Sequence, residues 1–596
     1  MKTLNSKRQA CIFIFLLLLN IGLKSNAQQN VVNTGTLYMG STDIVSASGN
    51  FTNNGITTID NGGYFFIKGN WSNTGTFNAN LSTITFNSTD SQSISGSASF
   101  NNLTINNNAG VSLLGTLNVT GILLASNGNF NTGGFLTLVS TSSQTALIDG
   151  SGAGNILGII TMQRYLPSGF GYKYLSSPFQ SATVNEFSND LDLAASFPTL
   201  YRYDENKTSS GWVNYIDVGG ILNPGEGYAA NLGSSSSPKT IEISGVVNNN
   251  TISTPTLYNH NQPYTQGFNL IGNPYPSPID WNATNGWVRT NIDNAVYYFK
   301  ASTTDQYTGT YSSYINGISS DGIANNIISS MQGFFVHVSN GTFPVSAQIT
   351  FNNSVRVNDL TSSQSINGQM LRLDASFDDR EEAVFDPAVF YFDARALKTF
   401  DKKVDALKLM NTNPAVPNLY AISSDAAKIS IRALSYTRDS LTVQPIGLKI
   451  EKEGWVSFNA RDIKNISESM HIYLFDAKTN IYHDLRENPN YRLYMSSGDH
   501  TNRFSVIFSL IQLTSNSNTG KTFNVYTSRG NLYVNPPFPS EKSNLVIVNM
   551  LGEVLCRKAL NSDAIQQINT NLVSGVYVVT VSSNSNKYSK KVFIGK

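Results

Sequence analysis

The densest group of residues able to do acid–base or metal chemistry is an acidic cluster formed by Asp374, Asp378, Asp379, Glu381, Glu382 and Asp386, broken by Arg380. Oxygen-rich loops hold calcium when their ligands recur at set positions, and this spacing does not follow that pattern. The cluster therefore reads as a solvated acidic turn between two strands, with calcium as the alternative. Hydrolysis by paired carboxylates needs two acids about 5 to 9.5 Å apart. The N-terminal repeats offer Asp43 and Asp60, seventeen residues apart where one repeat is twenty, and their only other charges are Lys68, Asp90 and Asp149. The five histidines, His260, His337, His471, His483 and His500, have no spacing suited to zinc and read as surface or turn residues. Neither a Gly-x-Ser-x-Gly elbow nor a phosphate-binding or dinucleotide-binding loop stands in a suitable context. No catalytic residue is assigned, no cofactor is expected, and the chain reads as a non-enzyme.

Those side chains must be carried by several domains, because 596 residues exceed one ordinary core. The formal net charge is +1, so no global field draws the chain to nucleic acid or to an anionic membrane. Abundant Gly, Asn, Ser and Thr, plentiful Tyr and Phe and few charges favour strands and turns over helices. An all-β fold follows. Lys2, Lys7 and Arg8 precede an apolar run from Ala10 to Leu19, and Ser25-Asn26-Ala27 precedes Gln28, which predicts a secretory signal peptide over 1–27 cleaved between Ala27 and Gln28. The mature form is expected to carry no transmembrane segment, since the apolar run is short and no second one follows. Cys11 lies in that peptide. Cys556, the other of two cysteines, reads as a small apolar strand residue that can form no internal disulfide.

Three elements of organisation follow the leader. Residues 28–160 repeat with a period of twenty: Asn33-Thr34-Gly35, Asn53-Asn54-Gly55 and Asn73-Thr74-Gly75, with Gly49-Asn50-Phe51 and Gly69-Asn70-Trp71 in the same register. Short alternating strands at that period predict a β-solenoid with Asn and Gly at its corners. An irregular β-sandwich with long turns is the alternative geometry. The repeat blurs after residue 90. Residues 161–354 hold a longer duplication, with copies over about 161–250 and 256–350. Gly171 to Phe179 aligns with Gly267 to Tyr275 at an offset of 96, and Gly225 to Leu232 with Met331 to Val338 at 106. The ten extra residues are expected in the loop around Tyr307 to Tyr314. Paired aromatics on these strands, with Trp212 and Tyr311 as the candidate contact residues, read either as core packing or as a sugar-stacking face. Residues 355–513 carry more charge and long alternating strands, which predicts a β-sandwich, and 514–521 is a polar linker.

From 522 to 596 short strands alternate with Gly and Asn turns: Leu545 to Asn549, Leu551-Gly552-Glu553, Ser574-Gly575-Val576-Tyr577 and a basic pair, Lys590 and Lys591, before the last strand. The order and spacing of Gly552, Gly575, Tyr577, Lys590 and Lys591 resemble the immunoglobulin-like type A C-terminal sorting domain of the type IX (Por) secretion system of Bacteroidota, over about 75 residues. The resemblance implies export through the periplasm, recognition by the outer-membrane type IX machinery, removal of the domain, and a cell-surface or extracellular destination. An ordinary terminal immunoglobulin-like domain is the alternative. With the segments Phe400 to Leu409 and Asn502 to Phe508, residues 355–513 resemble the domain that often precedes such sorting domains in large Bacteroidota surface proteins. Asp439-Ser440-Leu441 matches the short O-glycosylation acceptor of that class of exported protein, with Ser440 as the acceptor. The passenger is expected to be an adhesin or glycan-binding protein whose partners are surface glycans or polysaccharide. A structural surface-layer or gliding-associated protein and a polysaccharide-degrading enzyme are the competing classes.

Overall fold

The computed structural model describes residues 29–358, 368–378, 384–435, 441–513, 524–528, 531–535, 543–560, 566–568, 572–583 and 587–594. The leader with Ala27 and Gln28, the acceptor Ser440, the acidic residues Asp379, Glu381 and Glu382, and the linker 514–521 lie outside them. Among the described residues the regular elements are strands, with two short 3₁₀ turns at Val184–Phe187 and Asn353–Val355. No helix among the described residues is long and apolar enough to cross a membrane. The chain forms two units: residues 1–138 with 152–159, and residues 139–151 with 160–596.

The first unit is a parallel β-solenoid. One of its faces is a seven-stranded sheet in which Val31–Asn33, Phe51–Asn53, Trp71–Asn73, Gln92–Gly96, Val111–Leu113, Asn129–Asn131 and Asn155–Leu157 follow one another, one strand per coil. Alternation sends Phe51, Trp71, Ile94 and Phe130 inward to full burial. The regular coils are held at their corners by a side-chain ladder: Asn33 Nδ2 donates to Asn53 Oδ1 at 2.8 Å and Asn53 Nδ2 to Asn73 Oδ1 at 2.7 Å. Thr57 Oγ1 also donates to Asn53 Oδ1, at 2.9 Å. Gly75 is required by close approach, because a Cβ there would stand 2.1 Å from the carbonyl oxygen of Gly55 in the preceding coil. The blurring has a register cause. Phe51 pairs with Trp71, but Trp71 pairs with Ile94, a step of 23 residues, and Leu117 then pairs with Leu136, a step of 19.

In the second unit the duplicated segments adopt one register twice. Tyr172–Ser176 runs antiparallel to Gly227–Asn231 with Tyr172 opposite Asn231, and Phe268–Gly272 runs antiparallel to Gly333–Val338 with Phe268 opposite His337. Leu200 faces Ala230 as Val296 faces Val336. The next strand places Trp212 opposite Tyr203 and Tyr311 opposite Phe299, so these two aromatics occupy equivalent positions. The first hairpin pair is nine positions apart in sequence and the second twelve, so the hairpin takes three of the ten extra residues. The other seven follow it, before Gly333–Val338, where Ile318–Ser319 and Ile327–Ile328 form additional strands. The copies meet reciprocally. Glu226 bridges Ile271 and Gln332 bridges Leu175, while a Cβ on Gly227 or Gly333 would strike the facing backbone at 2.5 Å or 2.9 Å.

Residues 370–509 form one eleven-stranded sheet that closes over its own core. The rings of Phe458 and Phe504, from strands far apart in the sheet order, meet at 5.0 Å with a tilt of 59°, and those of His483 and Tyr491 from its two end strands lie 5.0 Å apart. The C-terminal segment folds as a three-stranded and a four-stranded sheet around Val525, Leu532, Leu545, Ile547, Val579, Val581 and Ile594.

Candidate functional site

The residues singled out for sorting fall on turns and strands of the C-terminal module. Gly552 has φ +86° in the turn that follows Ser543–Asn549, where its N–H donates to Asn549 O at 3.0 Å, so a positive φ explains this glycine. Gly575 opens the strand Gly575–Ser582, and Tyr577 is buried with its hydroxyl donating to Val573 O at 2.7 Å. Lys590 and Lys591 do not precede the last strand. That strand begins at Lys587 and pairs Val579 with Lys590 and Val578 with Lys591, so both exposed cations sit mid-strand. Cys556 is a free, half-buried thiol opposite Ile547.

Trp212 and Tyr311 meet in a shared aromatic cluster between the two copies. Tyr174 stacks on Phe299 at 4.8 Å, lies 5.6 Å from Trp212, and shares a 2.8 Å hydroxyl–hydroxyl hydrogen bond with Tyr311. Phe335 closes the cluster at 6.1 Å from Trp212 and 6.0 Å from Tyr311. Both candidate rings are half-buried, and the ring surface they give to Tyr174 and Phe335 is surface withdrawn from any ligand. Tyr311 also lines a cavity of about 230 Å³ with Lys300, Asp321 and Asp386.

The acidic cluster is not a solvated turn at its two ends. Asp374 and Asp386 lie on the paired strands Met370–Phe377 and Phe385–Phe392 and are 5 % and 1 % exposed, because both faces of this hairpin are covered. Each has a cationic partner: Arg461 Nε stands 2.8 Å from Asp374, and Lys408 Nζ 2.5 Å from Asp386. Asp378 pairs with Arg492. Burial drives the Asp374 carboxyl up to about 6 against the pull of Arg461 and Arg372. Asp43 accepts from Gly40 N at 2.7 Å within its own turn, and Asp60 accepts from the Tyr38 hydroxyl of the preceding coil, so both acids serve the solenoid's own structure.

His337 departs from the expectation of a surface position. It is 1 % exposed on Gly333–Val338, with Nδ1 2.6 Å from Asp293 Oδ2 and its ring 5.1 Å from Phe268. The uninterrupted apolar run around it in the sequence carried that signal. Ser339 completes the residue types of a nucleophilic triad, but its hydroxyl donates to Asp293 Oδ1 at 2.7 Å and accepts from Lys402 Nζ at 3.1 Å. A nucleophile needs its base on the hydroxyl, and here the hydroxyl serves the acid. The group therefore ties two strands and the Lys402 loop together beside a cavity of about 560 Å³. His260 is bound similarly, with Nδ1 2.7 Å from the buried Glu205. His483 and His500 bond backbone carbonyls, and His471 stands 3.4 Å from Asp484. Among the described residues no three His, Cys, Asp or Glu side chains converge as metal ligands.

Comparison with known proteins bears on both parts of the chain. Residues 521–595 match the secretion system C-terminal sorting domain, so the protein is a type IX secretion substrate that engages that machinery and is exported to the cell surface or extracellular space. No curated protein matches the chain. A solved structure described as "Biofilm associated protein - BSP domain" aligns over 73 % of this chain and 92 % of its own at 11 % identity, with a TM-score of 0.13. Residues 64–508 match the model described as "Domain of unknown function (DUF8693)", three quarters of the chain, and the protein belongs to that family.

Proposed function

We propose that the exported passenger is a non-catalytic adhesive protein that contacts polysaccharide through a flat face of its solenoid. The observation that carries this is a pair of outward rows on the parallel sheet. Ile44, Tyr64, Thr83 and Asn102 stand in register in one row, and Ser46, Phe66, Thr104 and Leu124 in the other, where Thr85 between Phe66 and Thr104 is buried. Tyr64 is 46 % and Ile44 74 % exposed. Successive rungs stand about 4.8 Å apart. Aromatic and apolar faces flanked by hydroxyls and an amide suit the apolar faces and equatorial hydroxyls of a sugar chain. The non-catalytic part of the reading is supported by the Ser339 geometry and by the commitment of Asp374 and Asp386 to cations.

The test is retention of the full chain on insoluble cellulose and chitin. Tyr64→Thr with Phe66→Thr, which copies the residues of the following coil, should cut the retained fraction about fivefold or more without moving the melting temperature. Undiminished retention would remove the solenoid face from the proposal, and release of soluble sugar from either polymer would sink its non-catalytic part.

A further inference from the structure

In the second copy of the duplicated unit, Trp287 and Arg289 project to the same side of the strand Trp287–Thr290. The Arg289 guanidinium lies 3.6 Å from the ring centre of Trp281 and 4.4 Å from that of Trp287, whose indoles are 4.9 Å apart. Both indoles are fixed in turn. Trp281 Nε1 donates to Asn294 O at 2.7 Å and Trp287 Nε1 to Asp280 O at 2.9 Å. A cation held between two rigid rings is positioned before anything binds to it.

Its donors are unusually idle. Arg432 and Arg503 are paired with Asp405 and Asp476. Arg164 and Arg356 turn to neutral acceptors, the Ser330 carbonyl and Gln332 in one case, Ser277 and the Ile148 carbonyl in the other. Arg289 donates to the carbonyl of Trp281, and its Nε is buried without a hydrogen-bond partner. Among the described residues it forms no ion pair. Asp280 is the acid whose charge it feels, and Asp280 Oδ1 already accepts from Asn282 N at 2.8 Å and Asn326 Nδ2 at 2.6 Å. Burial lowers the guanidinium to about 10, which leaves it charged at neutral pH. A desolvated cation without an ion-pair partner is costly until an anion joins it.

Arg289 lines a cleft of about 360 Å³ with Trp281, Asn282, Ala283, Asn294 and Asn316. Asn282 Nδ2 donates to the Tyr314 hydroxyl and Asn316 Nδ2 to Lys403 O, at 2.6 Å each, which leaves their carbonyl oxygens for hydroxyl donors. We propose that this cleft binds a single sugar-borne oxyanion, a carboxylate or a sulfate ester, with Arg289 pairing the charge and the asparagines taking hydroxyls. The volume suits one sugar residue, and planar guanidinium donors match the geometry of such an oxyanion. The identification of the carrier as a sugar rests on the polysaccharide reading above.

The experiment titrates the full chain with glucuronate, glucose 6-sulfate and glucose, following tryptophan fluorescence. Saturable quenching by at least one anion, weakened by added salt, with glucose inert, is expected. Preference between the two anions identifies which source the cleft serves. Arg289→Met keeps an apolar side chain between the indoles and should weaken binding about tenfold or more, and Asn316→Ala should weaken it with Arg289 intact. No saturable response to either anion up to about 50 mM, or a variant at Arg289 that binds as the wild type does, overturns the site. Cellulose retention without anion binding fails this inference alone. Anion binding with no polymer retention fails only the solenoid proposal.

Discussion

Asp374 sits where charges of both signs converge: Arg461 at 2.8 Å, the charge of Arg372 close by, and Asp386 and Asp321 opposing its ionisation. Its second oxygen, Oδ1, is buried without a partner. Burial outweighs the two arginines and raises the carboxyl to about 6, and burial raises Asp405 to about 6 as well, against Arg432. A carboxyl raised above its unfolded value contributes stability below the unfolded pKa and loses it as pH climbs through the folded one. Asp374 should therefore cost the protein stability between about pH 4 and pH 6, on the order of 3 kcal/mol. Asp476 acts in the opposite sense, because burial raises its pKa but the Arg503 hydrogen bond and charge draw it below the ordinary value. The whole-protein curve mixes both, so the informative quantity is a difference. Asp374→Asn should therefore gain stability relative to the wild type between pH 4 and pH 7, seen as a change in the gap between their urea midpoints. Parallel midpoints from pH 4 to pH 7 would show that the carboxyl titrates normally.

In the solenoid coil the stacking is legible in the sequence. Asn33, Asn53 and Asn73, spaced by twenty, announce a stacked position, and a stacked asparagine can donate to the next. Asn53→Ala removes the acceptor of Asn33 and Thr57 and the donor to Asn73 at a fully buried position, at about 2 kcal/mol. Gly75→Ala should cost more, about 3 kcal/mol or above, since its Cβ would enter the Gly55 carbonyl and backbone can give little. Because coils contact only their neighbours, the loss should be local: hydrogen exchange should quicken across residues 51–96 and leave the eleven-stranded sheet protected. A uniform loss would make the coils one cooperative block with the rest. Spacing also carried the register of the duplication, whose offsets of 96 and 106 recur in the pairings Leu200 with Ala230 and Val296 with Val336. Spacing did not say what covers a strand. Trp212 and Tyr311 turn into the other copy, Asp386 meets Lys408 just past the short strand Ala406–Leu407, and Arg289 gains its clamp from Trp281 as well as its neighbour Trp287. Those outcomes depend on which surfaces meet in three dimensions, and period-two alternation is silent on that.

For the whole molecule the address and the passenger are separable in physical terms. The sorting module is centred on its own apolar core, with Leu545, Ile547, Val579 and Val581 fully buried, and shares no core residue with the sheet of 370–509. Removing it leaves the passenger's buried clusters whole, so a truncation reads sorting and not folding. In a host with the type IX machinery, the full chain should be found outside the cell lacking its last 75 or so residues, the span of the matched domain. A chain ending at Ser515 should accumulate in the periplasm, and once purified should keep its thermal unfolding profile and its cellulose retention. Replacing Lys590 and Lys591 with glutamate probes the same step more finely. Both side chains are exposed on the last strand while Val592 and Ile594 hold the core, so the module should stay folded. Any loss of export would then report recognition of charge by the machinery. Export of the truncated chain at the level of the full one would mean that sorting information lies upstream of residue 516, and the C-terminal module would then belong to the functional protein outside the cell.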